Sequence, residues 1–407
     1  MCRDATNGPR LYTREEVAQA GTLAIVGSQV FDVAAFSKAH PGGAMFPRLF
    51  GGHDATVAFA TYHGRPWPAA VGARYAVGEL AEGEKPVVIG KDYMELVGVV
   101  AALLLAALAV EARVVFGART LALSTLLGVL YAWIGLNVMH DANHGAVSRH
   151  PAVNRALGLA QDWIGGSSVL WVHQHVVAHH VHTNHEALDP DIQGFPLFRL
   201  YQNSEWRPHH RLQHLYFYCA AALFGVKVAV LDLAQLARGE WGGVPLSPLA
   251  RGYWRTSVAM KVVFYLRFFA LPLALSATPW ATLAQIFWCA TVCGGYLAFF
   301  FMLSHNFDQV ATYAPAEGLD GGEKEYLRAV LETTSNVGGS ALCFANGGLN
   351  YQIEHHLFPR VHHSHYPRIA PAVQRFCEER GLPYFHFATI GDNVDSMTKY
   401  LAFLGRA

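Results

Sequence analysis

The sequence predicts an α-helical multi-pass membrane protein of about four transmembrane helices, with a histidine-rich cap at one membrane face and a small N-terminal α+β domain. Three observations predict it. Two pairs of apolar runs approach the roughly 20 residues that a bilayer-spanning helix needs. Many of the 22 histidines gather in short windows outside those runs. Composition also changes abruptly near residue 90, from mixed to strongly apolar.

The chain of 407 residues begins with a polar stretch that lacks the apolar centre of a secretory signal, so membrane targeting is expected from internal segments. "LAIVGSQVFDVAAF" reads as two short strands around a Gly-Ser turn, which places a small soluble domain at 8–80. "AEGEKPVVIGK" (81–91) reads as a linker, and 92–407 as the membrane domain. Spans are expected near 94–113, 120–139, 257–277 and 281–303. A fifth apolar segment, 215–233, is interrupted by Lys227 and reads as interfacial or re-entrant. Parity supports the count of four, because it returns the N-terminal domain and every histidine cluster to one side. A spanning fifth segment would separate clusters that must meet to share a metal.

Only 15% of residues are charged and the formal net charge is zero, against about 25% charged in soluble domains. Balanced charge gives no electrostatic footprint for nucleic acid. The six cysteines are scattered without a CxxC pair, which points to a reducing compartment and no disulfide framework.

The chemistry lies in the histidines. "HDANH" supplies His140 and His144, an i, i+4 pair on one helical face. "HVVAHH" supplies His175, His179 and His180. "QIEHH" supplies Gln352, His355 and His356, and His305 stands at the mouth of the last apolar run. Imidazole suits iron, copper, zinc or nickel. Eight histidines and a glutamine exceed the six ligands of one metal, so the set points to two metals held by imidazole in place of the carboxylates of soluble di-iron bundles. His173, His182, His185, His362, His363 and His365 are read as solvated or shape-giving neighbours. Asp141, Asp189, Asp191 and Glu354 are candidates to orient ligand imidazoles, with a plain turn as the competing reading of the Asp189–Asp191 stretch.

These windows resemble the three histidine boxes of membrane fatty acid desaturases, HxxxH, HxxxHH and QxxHH, and a third box opening on glutamine resembles the front-end group. That resemblance implies a catalytic and metal-binding set of His140, His144, His175, His179, His180, Gln352, His355 and His356, with His305 matching the extra histidine after the last span. It implies two non-haem irons, O2 as co-substrate, and insertion of a cis double bond between an existing double bond and the carboxyl end of a long-chain polyunsaturated acyl chain. The carrier is acyl-CoA or phospholipid, and the position delta-4 or delta-5, with delta-4 preferred. The N-terminal "HPGG" (40–43), "GGHDATVAFATYH" (51–63) and "RYAVGEL" (74–80) resemble cytochrome b5, which implies haem b held between His40 and His63. His53 interrupts the usual run of that motif and is expected at the solvated surface.

Further implications are electrons from NADH through a separate cytochrome b5 reductase, since no dinucleotide fingerprint is evident, and an endoplasmic reticulum membrane with haem and irons facing the cytosol. Fusion makes the haem donor intramolecular, at roughly millimolar effective concentration. Trp163, Trp171, Phe299 and Phe300 are candidates to line an acyl channel, against helix packing. A sphingoid-base delta-8 desaturase or a lipid hydroxylase on the same boxes stays open. A haem-bearing electron carrier would not need eight clustered imidazoles, and a metal transporter would place ligands within its spans.

Overall fold

The computed structural model describes residues 9–406, apart from 41–43, 45–46, 49, 57–58, 60–62, 64–68, 82–88, 118, 195, 242–243, 247 and 314–322. Pro41–Gly43 of the HPGG motif and most of the expected linker lie outside the described residues.

The N-terminal unit is small and mixed. Thr13 caps helix α1 (Arg14–Ala20), its hydroxyl accepting from the Glu16 amide while the Glu16 carboxylate accepts from the Thr13 amide, a reciprocal cap that satisfies two otherwise orphaned donors. Strand β1 (Leu11–Tyr12) precedes it; β2 (Leu23–Val26) and β3 (Gln29–Asp32) follow as the expected hairpin, and β4 (Ala76–Leu80) closes the sheet after α2 (Val33–Ser37) and α3 (Ala69–Tyr75). The sheet order is β1-β4-β3-β2, with β1 parallel to β4 and the other pairs antiparallel. "DAT" is structural: the Ala55 amide donates to the Ile25 carbonyl, the Thr56 hydroxyl accepts from the Gly27 amide, and Asp54 pairs with Arg14 at 2.8 Å.

Among the described residues, four helices are long and apolar enough to cross a membrane: Gly98–Phe116 within α4 (Ile89–Phe116), α5 (Leu121–Asn143), then α8 (Ala250–Ala274) and α9 (Pro279–Leu303). Between the two pairs, α6 (Pro208–Ala221) and α7 (Phe224–Arg238) are apolar but bent by 75° at their junction, in keeping with the re-entrant reading of 215–233. Gly225 and Gly294 let α7 lie against α9 backbone to backbone; a Cβ on Gly294 would stand 2.0 Å from the Gly225 nitrogen, so any larger residue must push the helices apart. Polar ties join the spans as well. Glu111 of α4 pairs with Arg267 of α8, and Arg267 donates to the Tyr131 hydroxyl at 2.8 Å. Such intramembrane charges are tolerated because they face one another inside the bundle.

Beyond the spans, the polar segments fold into a cap with α10 (Glu323–Thr333), α11 (Gln352–Leu357), α12 (Tyr366–Arg380) and α13 (Ile390–Leu404). Its core is continuous with that of the N-terminal unit: Phe31, Phe50 and Ala55 belong to one buried cluster with Leu357, Phe358 and Val361.

The apolar aromatics divide differently from the sequence expectation. A cavity of about 150 Å³ between α5, α7, α8 and α9 is lined by Tyr131, Phe264, Tyr265, Phe268 and Phe287, among others. None of the four aromatics named from the sequence lines it. Trp163 lies under the Arg267 guanidinium at 3.8 Å, Phe300 is bundle core, and Phe299 packs against that core. Trp171 instead lies tilted against His175, with ring centroids 4.4 Å apart. Large side chains at helical spacing serve packing first, and the sequence does not say which face borders a void.

Candidate metal centre

Two backbone irregularities aim the first two histidine clusters inward. The end of α5 loosens into a π-helical turn at Gly135–Met139, directly before His140. The second cluster lies on a longer π-helical segment, Val172–His179, in which the His180 amide bonds the His175 carbonyl five residues back. Each π turn takes up one more residue than an α turn, so position i+5 comes round to join i and i+4. His175, His179 and His180 thereby share one face, which α-helical spacing grants only to His175 and His179. The stretch leading into this segment is tied to α8: buried Lys261 donates to the Gly166 carbonyl at 3.3 Å, and Asp162, which accepts from the Ser168 amide at 3.1 Å, also accepts from the Ser257 hydroxyl of α8. The third cluster sits on α11, and His305 follows the end of α9.

All eight histidines meet and are buried, each at most 6% exposed. The Nε2 atoms of His140 and His175 are 3.3 Å apart, those of His175 and His180 3.2 Å, and those of His180 and His355 3.0 Å. Two nitrogens about 2.1 Å from one metal, at right angles, stand about 3 Å apart. Among the described residues, four groups have ligand atoms within 4.8 Å of one another, and two of them consist of histidine alone: His140, His144, His175 and His355, and then His179, His305 and His356. His180 borders both, bonding to the first group and stacking on His356 at 4.1 Å between ring centroids.

In four of the rings the opposite nitrogen is fixed by the protein, which turns the lone pair toward the centre. His179 Nδ1 donates to both Asp189 oxygens at 3.1 Å, and His305 Nδ1 donates to the Thr333 carbonyl at 3.1 Å. His356 Nδ1 donates to the Thr183 hydroxyl at 3.2 Å, whose own proton goes to the His179 carbonyl. His355 Nδ1 donates to the Tyr366 hydroxyl at 3.2 Å. Among the described residues, the buried Nε2 atoms of His144 and His356 and Oε1 of Gln352 have no protein partner. Buried polar atoms are not left orphaned without cost, and a pair of metal ions would satisfy them. Gln352 Nε2 stands 2.7 Å from His305 Nε2, so the glutamine completes the rim of the second group. The donor set fits two metals.

Electrostatics agree. Burial, reinforced by neighbouring imidazoles, pushes His144, His175, His180, His355 and His356 well below the ordinary histidine value, and His305 to about 3. These rings are neutral, the form that binds metal. For His179 burial acts downward, but Asp189 and Asp191 outweigh it and lift the ring to about 9. A metal at His179 Nε2 would displace one proton while Asp189 keeps the other at Nδ1. Asp189→Asn is therefore expected to weaken metal retention about 10- to 100-fold, measured as iron remaining after dialysis against a chelator.

Asp189 thus both orients an imidazole and builds the turn, capping it through the Asp191 amide. Asp191 comes to 3.5 Å from His179. Glu354 differs from expectation. It accepts from Asn336 and Tyr384 at 2.8 and 3.0 Å and, among the described residues, forms no hydrogen bond to an imidazole, because α11 turns it away from the two histidines that follow it. His362 and His363 are not solvated neighbours; both are buried against Asp141, at 3.0 and 2.7 Å. Thr183, Thr333 and Tyr366 were not singled out in the sequence. Thr183 lies four residues beyond His179, and Tyr366 closes the same histidine-rich window as the third cluster.

In the N-terminal unit the rings of His40 and His63 are neighbours, 5.9 Å between centroids and tilted by 58° to one another. His63 Nδ1 donates to the Phe59 carbonyl at 3.1 Å, leaving its Nε2 to ligate. Two imidazoles fit the axial positions of a haem.

Comparison with known proteins now decides the family. Residues 118–388 match the fatty acid desaturase family model, and residues 13–81 the cytochrome b5-like heme/steroid binding domain. The chain belongs to the fatty acid desaturase family. It is a membrane desaturase of the front-end type with an N-terminal cytochrome b5-like domain. It is 45% identical to the acyl-lipid (7-3)-desaturase of Diacronema lutheri, over 97% of this chain and 93% of the relative, and 44% identical to that of Rebecca salina over the same shares. The acyl-lipid (8-3)-desaturase of Mortierella alpina is 29% identical over 98% of both chains. This desaturase is accordingly an O2-dependent oxidoreductase with haem in the cytochrome b5-like domain and a di-iron centre.

Proposed function

We propose that this desaturase is a delta-4 enzyme acting on lipid-bound polyunsaturated acyl chains, with His140, His144, His175, His179, His180, His305, His355 and His356 holding the two irons and His40 and His63 the haem. Gln352 lies beside His305, as an outer ligand or a support for one. The observation that carries the metal assignment is the convergence of eight imidazoles from four separate segments into one buried cluster. The delta-4 reading rests on the two relatives of 45% and 44% identity, whose names read as position seven less three, and which are both called acyl-lipid enzymes.

Bound at this centre, the irons supply the oxidising chemistry with O2 that removal of hydrogens from unactivated C–H bonds requires. The protein's own part is placement. Asp189, Thr183, Thr333 and Tyr366 hold four rings so that no ligand must reorganise. The rings of Trp171 and Phe301 lie against His140 and His175, an apolar border that would keep water from the reacting carbons. The apolar cavity around Tyr131 and Phe268 offers the acyl tail a place inside the bundle. Per double bond, two electrons from the haem domain and two from the substrate reduce one O2 to two waters. The electrons come from NADH through a cytochrome b5 reductase, and the assembly lies in the endoplasmic reticulum membrane with both centres on the cytosolic side, as parity of four spans allows.

Yeast expressing the chain and fed omega-3 docosapentaenoic acid should yield a product with one new bond at carbon 4, located by mass spectrometry. A new bond at carbon 5, formed only from eicosatetraenoic acid, would replace this reading by the delta-5 one. A bond toward the methyl end or a hydroxylated product would refute both.

A further inference from the structure

The cytochrome b5-like domain does not hang from its linker: it is packed. Phe50 and Phe358 lie with ring centroids 5.8 Å apart, inside the buried cluster that joins both units. Phe50 stands at the start of a tight turn whose geometry is fixed by glycine, since a Cβ on Gly51 would lie 2.2 Å from the Gly21 carbonyl oxygen. Next to it, His53 is half-buried, with Arg375 and Glu379 of α12 near enough to act on its charge. This corrects the solvated position expected for it from the sequence.

On the desaturase side the contact leads straight to the metal centre. The Phe358 carbonyl accepts from the Tyr366 hydroxyl at 3.4 Å, and that hydroxyl accepts from His355 Nδ1. On the other side, Phe36 touches both His40 and Tyr75, at 5.5 and 5.1 Å between centroids, and Tyr75 packs against the shared cluster. The cluster therefore spans from a neighbour of the candidate haem ligand to a neighbour of a candidate iron ligand.

We propose that Phe50 and Phe358 form a built-in docking contact which seats the haem domain on the third histidine cluster, with Phe358 and Tyr366 as positioning residues for His355. The inference rests on the assignment of His40 and His63 to haem and of His355 to iron. A seated domain holds one orientation, where a tether alone supplies only concentration; the one-electron transfers, each taking the donor haem from ferrous to ferric, then need no search.

The test uses the full-length holoenzyme. His53→Cys with Arg375→Cys should give an intramolecular bismaleimide link in most molecules, identified as a cross-linked peptide. Its absence overturns the proposal whatever other variants do. Adding Phe50→Glu should lower that yield at least fivefold and slow reoxidation of pre-reduced haem by substrate and oxygen at least tenfold, while the Soret band and non-haem iron content are unchanged. Phe50→Leu, which keeps an apolar contact, should stay within twofold of the parent. Cross-linking and reoxidation in Phe50→Glu within twofold of the parent would overturn the docking contact. Parent haem that substrate and oxygen fail to reoxidise would instead overturn the donor reading beneath it.

Discussion

Replacing His180 by alanine should abolish desaturation, with activity falling by about 100-fold or more, and should leave the purified protein with at most one non-haem iron. His180 carries this expectation because its ring borders both groups. Its Nε2 approaches those of His175 and His355, while its face stacks on His356. Removing it therefore disturbs both groups at once. Ligation free energy is also folding free energy for a site built from distant segments, so the midpoint of thermal unfolding should fall. The Soret band should not change, since His180 does not touch the haem pair. Iron content measured beside haem absorbance separates loss of the site from loss of the protein.

His40→Ala should have the complementary effect. Haem is lost, turnover supported by NADH drops to background, and both non-haem irons stay, because His40 belongs to the N-terminal sheet domain and supplies no atom to the desaturase cluster. Activity assays in membranes alongside metal analysis would show it. Full turnover in this variant without a donor added in trans would contradict the role of the fused domain.

Much of this was legible in the sequence because the bilayer restricts the choices. A spanning backbone must satisfy its own hydrogen bonds, so apolar length and helix go together. Polar ligands cannot sit cheaply in hydrocarbon, so "HDANH" falls at a span end and "HVVAHH" and "QIEHH" outside the spans, and the span count brings them to one side. The Gly27–Ser28 turn between β2 and β3 was legible for a local reason, as turn residues between two apolar stretches.

What was not legible depends on tertiary contact. Nothing in "WVHQHVVAHH" announces a π-helical segment, whose extra residue per turn is what admits His180. Asp189 and Glu354 are both acidic residues close to histidines, and only the folded chain turns one toward an imidazole and the other toward Asn336 and Tyr384. The seat of the N-terminal unit was equally hidden. Phe50 and Phe358 lie more than 300 residues apart, and each reads as an ordinary buried aromatic by itself.

The central claim is a two-iron cage of imidazoles beside a single haem. Iron and haem quantified together on the purified, detergent-solubilised chain test it most directly. Three irons per haem, two of them removable by a chelator with the Soret band intact, is the result expected. One iron per haem, all of it in the porphyrin, would contradict it.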